Sequence, residues 1–154
     1  MRNIIVLAFL LLNLPAFAQS SNSIMFEDCS YSFLFDDGSH DISFKNAKTI
    51  TQYISDATDI ELRKAIKGQV DVQLIVFSDG KACCKFLTKI KGSFSLHKLR
   101  LVNFENAFNA LPNFTIGKPE KTTGTAENYS AILKMIIKGD GTIEIFDYST
   151  NKII

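Results

Sequence analysis

The stretch from Gly68 to Lys81, "GQVDVQLIVFSDGK", constrains the fold more than any other part of the chain. Val70, Val72, Leu74 and Val76 alternate with Gln69, Asp71, Gln73 and Ile75, the period of a strand with one face against a core. Ser78-Asp79-Gly80 then closes the run, and Asp-Gly between two β-rich segments is a strong hairpin signal. Residues 69–77 and 81–89 are therefore expected to pair antiparallel. In the returning strand, alternation puts Ala82, Cys84 and Phe86 on one face and Lys81, Cys83 and Lys85 on the other. Cys84 is thus expected to be buried and Cys83 exposed, unless a bulge near the pair reverses the assignment.

Around this hairpin the remaining elements follow from periodicity. Residues 31–44 place two apolar runs about Asp36-Asp37-Gly38-Ser39-His40-Asp41, which reads as a further hairpin. That turn lacks the spaced oxygen ligands of a calcium loop, so it is taken as solvated. Ile50, Tyr53, Ile54 and Ala57 share a helical face. Ser55, Asp56, Thr58 and Asp59 then supply capping chemistry for a second short helix carrying Ile60, Leu62 and Ala65 and ending before Gly68. Leu96, Leu99, Val102, Phe104 or Glu105, Ala107, Phe108 and Leu111 suit one amphipathic helix ending at Pro112. Gly117, Pro119 and Gly124 mark a loop. A long strand, a Gly139-Asp140-Gly141 turn and a further strand over residues 142–146 follow. The expected class is α+β, a small antiparallel sheet with helices packed on one face.

The chain opens "MRNIIVLAFLLLNLPAFAQS", with Arg2 ahead of an apolar run and a small-residue site at Ala16 to Ala18. This reads as a signal peptide of residues 1–18, cleaved after Ala18, because a retained anchor needs ~20 apolar residues and Asn13 and Pro15 interrupt this run. Gln19, not a cysteine, stands directly after the cut and Cys29 lies eleven residues beyond Ala18, so a lipid anchor is not expected. The product is expected to be periplasmic or secreted, without stable membrane insertion. Cleavage leaves 136 residues, enough for one domain, with residues 19–43 as an N-terminal extension or hairpin and 44–154 as the main domain. Against 17 basic and 16 acidic residues, loss of Arg2 leaves a neutral chain, which argues against nucleic acid as a partner.

Export brings the three cysteines into an oxidising compartment. Cys29 shares the parity of Tyr31, Phe33 and Phe35 and is placed on the inner face of the first hairpin. There it bonds either Cys83 or Cys84, leaving the other as a buried or reactive thiol. A bond between Cys83 and Cys84 would strain a regular strand, and the remaining alternative is three reduced cysteines acting as small apolar residues. His40 and His97 lie in no catalytic motif, and adjacent cysteines on opposite strand faces do not share one tetrahedral ion. No catalytic residue, metal or cofactor is assigned. Asn113-Phe-Thr115 and Asn128-Tyr-Ser130 match the glycosylation acceptor pattern but are read as incidental.

Four features taken together carry a resemblance: Ile66-Lys67-Gly68-Gln69-Val70 entering a strand, Asp79-Gly80 at the hairpin, Leu111-Pro112-Asn113-Phe114 ending a helix, and Gly117-Lys118 beyond it. Over residues 44–137 the chain resembles the C-terminal domain of TonB, in the form common among Bacteroidetes. It departs from that pattern at Thr58-Asp59, Phe114 and Ile116, which stand for Tyr-Pro, Trp and Pro. It also lacks a Pro-rich spacer and adds a strand at residues 142–146. The resemblance implies a non-enzymatic domain that captures an extended segment of an outer-membrane receptor or other envelope protein by strand addition. The implied edge is the strand over residues 129–137, with Tyr129, Ala131, Ile132, Leu133, Lys134 and Met135 as its site residues. If the added strand pairs there, it covers that edge. The reading of a different class is a secreted thiol-dependent enzyme or redox protein using the spare cysteine, and a third is a structural domain whose edge is closed.

Overall fold

The computed structural model of the chain describes residues 22–29, 42–44, 46–77, 79–112, 114–116, 128–148 and 151–154. The signal-peptide reading, the turn around Asp36 and His40, and the loop of Gly117, Lys118, Pro119 and Gly124 lie outside the described residues, as does Asn113. Of the hairpin expected over residues 31–44, only Ile42–Phe44 falls within them.

The strands are β1 (Ser23–Met25), β2 (Ile42–Phe44), β3 (Gly68–Phe77), β4 (Ala82–Gly92), β5 (Phe114–Ile116), β6 (Asn128–Ile137) and β7 (Ile143–Asp147). The helices are α1 (Ile50–Ala57), α2 (Ile60–Lys64), α3 (Leu96–Leu101) and α4 (Phe104–Asn109), and a 3-10 turn spans Glu27–Cys29. Five strands form one antiparallel sheet in the order β1-β4-β3-β6-β7, while β2 and β5 pair separately. The class is α+β. Val70, Val72, Leu74 and Val76 of β3 join Ala131, Leu133, Met135 and Ile137 of β6 in one core with Ile50, Ile54, Leu99, Phe104 and Phe108 of the helices. The other sheet face carries the alternate residues.

Two of the three expected hairpins are present among the described residues, β3–β4 and β6–β7. Gly80 adopts φ +82° in the β3–β4 turn, where Phe77 N–H donates to the Lys81 carbonyl at 2.9 Å and Asp79 Oδ1 accepts Lys81 N–H at 3.0 Å. Lys138 N–H likewise donates to the Thr142 carbonyl at 2.9 Å to start the β6–β7 ladder.

Face assignment in β4 differs from simple alternation. Gln73 pairs with Phe86 and Leu74 with Cys84, so Lys85 is an extra residue; Ile90 is another, between Lys89 and Lys91. Such a bulge shifts the parity of everything beyond it. Ala82 and Cys84 remain in the core, but Leu87 takes the next inward place and Phe86 turns to the opposite face, beside Met25 of β1.

The helices hold two further corrections. A single helix was expected over Leu96 to Leu111, and the chain instead forms α3 and α4, broken at Asn103, whose φ of +61° is a left-handed conformation that Asn tolerates. The break lets Leu99, Val102, Phe104, Phe108 and Leu111 all reach the core. In α2 the expected apolar face points outward, with Ile60 45% and Leu62 41% exposed, while Arg63 is buried at 5%. Asp59 caps this helix as expected, its Oδ1 accepting Glu61 N–H at 2.7 Å. Thr49 and Gln52 form a reciprocal capping box on α1.

Gly68 begins β3 where it faces Gly92, and their backbones approach too closely for side chains. A Cβ on Gly68 would lie 2.1 Å from the Lys91 carbonyl oxygen and 2.7 Å from Gly92 Cα. Gly68→Ala is expected to lower stability by about 1–3 kcal/mol, because the backbones must part to admit the methyl group. Urea unfolding checks this as a shift in midpoint at unchanged slope.

Candidate functional site

Strand addition needs main-chain groups at a sheet edge, so the edges define what the sheet can accept. On one side β1 covers Phe86 to Thr88 of β4. Phe26 N–H extends that cover to the Lys85 carbonyl at 3.1 Å, and Asn109 Oδ1 takes Cys84 N–H at 2.6 Å.

The other side is built from β6 and β7. β7 pairs with Leu133–Ile137, so the added strand lies over much of the edge that the sequence pointed to. Main-chain hydrogen bonds alternate in direction along a strand. Because Lys138 bonds Thr142 and Ile145 N–H points away from β6 to Thr51 Oγ1, Lys134 and Ile136 face β7, whereas odd-numbered residues of β6 face β3. By the same alternation Asn128 and Ser130 direct their main-chain groups past the end of β7. Among the described residues, no strand pairs with that side of Asn128–Ala131. On their other side these residues pair with Leu74 to Phe77 of β3.

The six predicted site residues therefore divide. Ala131, Leu133 and Met135 turn their side chains into the core at 7%, 4% and 0% exposure, so they cannot touch a partner. Tyr129 is half-buried. Ile132 is 48% exposed on the sheet face away from the helices, and Lys134 shares that face with its Nζ 4.9 Å above the Phe146 ring. Reading a strand edge as a run of consecutive residues overlooked the pleat, which gives a partner only every second side chain.

The cysteine cluster lies at the end of the same sheet. Cys29 bonds Cys83, with Cα atoms 5.9 Å apart, which settles the choice left open between Cys83 and Cys84. The bond lies on the face away from the helices rather than on an inner hairpin face, because Cys84 and its side of β4 are already committed to the core. Cys83 is half-buried under the bond rather than exposed, Cys29 is fully buried, and Ile75, paired with Cys83, is 2% exposed. Lys85 Nζ donates to the Cys29 carbonyl at 3.3 Å.

Cys84 is a free thiol at 0% exposure. Burial pushes its pKa well above the usual thiol range, and the charge of Glu105 adds to the shift. Thiolate is the reactive form, so Cys84 is expected to resist iodoacetamide at pH 8 in the folded protein and to label only on unfolding. Mass spectrometry with and without urea checks this; rapid labelling of the native chain contradicts it.

His97 is exposed on α3. Among the described residues no group of three His, Cys, Asp or Glu side chains is placed to hold a metal ion, and no helix is long and apolar enough to cross a membrane. Comparison with protein-family models, with curated proteins and with solved structures finds no match for this chain.

Proposed function

We propose that this chain is an exported, non-enzymatic binding domain that adds an extended segment of an envelope protein to its sheet beside Asn128–Ile132. The observation that carries the reading is the length of β6 beyond the end of β7. That stretch is paired to β3 on one side, presents Asn128 and Ser130 main-chain groups on the other, and ends at the exposed Ile132. About five residues of strand, roughly 17 Å at ~3.4 Å per residue, give a partner several main-chain hydrogen bonds, with Ile132 as the side chain that selects. The resemblance to the TonB C-terminal domain supports the same mode of recognition, displaced along β6 by the added strand, and an outer-membrane receptor is the partner class it favours. The Cys29–Cys83 bond is compatible with an extracytoplasmic location. A thiol-dependent enzyme is less well supported, since the spare sulfur is the buried one.

Ser130→Pro tests the reading. It removes an N–H from the side that no described strand pairs and takes no main-chain bond from the β3 ladder, giving up only the Gln73 Nε2 bond to the Ser130 hydroxyl at 2.8 Å, and proline is tolerated at such a position. Immobilised chain is expected to retain a discrete set of detergent-solubilised envelope proteins, and Ser130→Pro to lose them while keeping its circular dichroism. Equal retention by both forms contradicts the proposal.

A further inference from the structure

Residues 151–154 lie along the outer side of β7 as a fragment of strand. Ile153 forms an antiparallel bridge with Phe146. Asp147 N–H donates to the Lys152 carbonyl and Ile154 N–H to the Ile145 carbonyl, both at 3.0 Å. Thr51, in the first turn of α1, closes the far end. Its N–H and its hydroxyl each donate to the Ile154 main-chain oxygen at 3.0 Å, and the same hydroxyl accepts Ile145 N–H at 3.0 Å. Lys134 Nζ donates to the Asn151 side-chain oxygen.

These are the contacts an added peptide makes with a sheet: main-chain bonds along the edge and one alternate side chain turned inward. Ile154 is that side chain, half-buried against the core, while Ile153 is 58% exposed. The segment is also lightly held. Four residues are ordered for a few hydrogen bonds and one half-buried side chain, and the ordering entropy of so short a piece opposes its gains almost in full. Segments of this kind open locally without the rest of the fold.

We propose that the outer side of β7 beside the first turn of α1 is a second peptide site, that residues 151–154 are its resident occupant, and that an extended partner segment with a branched aliphatic residue at the inward position displaces them. The occupant then acts as an intramolecular competitor, lowering apparent affinity by the fraction of time it is seated. The position is distinct from the β6 stretch. The inference rests on the strand-addition reading for the kind of partner, and the exchange itself is testable without any partner.

The probe is a synthetic peptide with the sequence of residues 148–154, YSTNKII, titrated into isotope-labelled full-length chain and into its Ile154→Asp variant. Aspartate at the inward position disfavours seating of the chain's own segment, because a carboxylate there would be desolvated. Shifts of the Thr51, Ile145 and Asp147 amides are expected in the variant, with apparent affinity at least about tenfold above the unsubstituted chain. Thr51→Val, which keeps the side-chain size and removes the hydroxyl, is expected to speed exchange of the Ile145 amide while Val72 and Leu133 stay protected. Absence of peptide-induced shifts in Ile154→Asp, with Val72 and Leu133 still protected, overturns the inference and leaves the β6 reading intact. Peptide exchange as expected, together with envelope capture that ignores Ser130→Pro, overturns the β6 reading instead.

Discussion

Arg63→Ala is expected to destabilise the fold by about 2–4 kcal/mol, because several buried acceptors lose a charged donor at about 1–3 kcal/mol each. Arg63 is 5% exposed, and its guanidinium ties α2 to the end of α1 and to the β6–β7 turn. Its Nε donates to the Gly141 carbonyl in the β6–β7 turn at 2.8 Å. One terminal nitrogen shares its two hydrogens among the Ser55 carbonyl at 2.7 Å, the Thr58 carbonyl at 2.9 Å and the Thr58 hydroxyl at 2.6 Å. The acceptors include carbonyls at the end of α1, where the helix dipole is negative and a cation is favoured. Burial draws the pKa of Arg63 down from its usual value, with Asp59 opposing, yet a guanidinium stays protonated at neutral pH. Alanine leaves the Gly141 and Thr58 carbonyls without this donor in a site closed to water, and Arg63→Lys cannot span all of them with one ammonium group. Urea unfolding of both variants checks this, with Arg63→Lys intermediate; a change below about 1 kcal/mol for Arg63→Ala contradicts the assignment.

Loss of the Cys29–Cys83 bond is the second large effect. The bond closes a loop of sequence separation 54, for which the chain-entropy estimate is about 4 kcal/mol, and measured losses for native disulfides run about 2–5 kcal/mol. Cys83→Ser is therefore expected to shift the urea midpoint strongly, and reductant to shift the unsubstituted chain by a similar amount while leaving Cys83→Ser unchanged. The loss should concentrate at the N-terminal edge. β1 spans only Ser23–Met25, and the bond tethers the turn that follows it over Ile75. Exchange of the Phe26 amide, bonded to the Lys85 carbonyl at 3.1 Å, is the local readout. Protection of that amide after reduction would show that β1 holds without the tether.

What the sequence made legible follows how locally each feature is encoded. The β3–β4 and β6–β7 hairpins are written in two-residue alternation closed by Asp-Gly and Gly-Asp-Gly, so both were readable. The cap at Asp59 depends on bonds to Glu61 and Leu62 close by in the chain, and was readable for the same reason. The inward turn of Arg63 was not, because its acceptor at Gly141 lies 78 residues away and only tertiary packing brings it close. The bulge at Lys85 has no residue signature, and it moved Phe86 off the core face. Asn103 looked like one more polar position on a helix, since a left-handed break differs from a helical residue in a single dihedral pair. Seating of residues 151–154 on β7 was invisible, as four residues carry no measurable period. For the candidate edge, the strand was legible as an element, but which half of it β7 would cover depended on a register that the turn at Lys138 to Thr142 sets.

The most direct test of strand addition is amide exchange in the captured complex, residue by residue, compared with the free chain. An added strand bonds the outward main-chain groups of β6, so slowed exchange is predicted at Ser130 and Asn128, with Leu133 and Met135 unchanged because they already bond β3. Slowing confined to the exposed faces of α2 or α3, with Ser130 exchanging as in the free chain, would contradict strand addition.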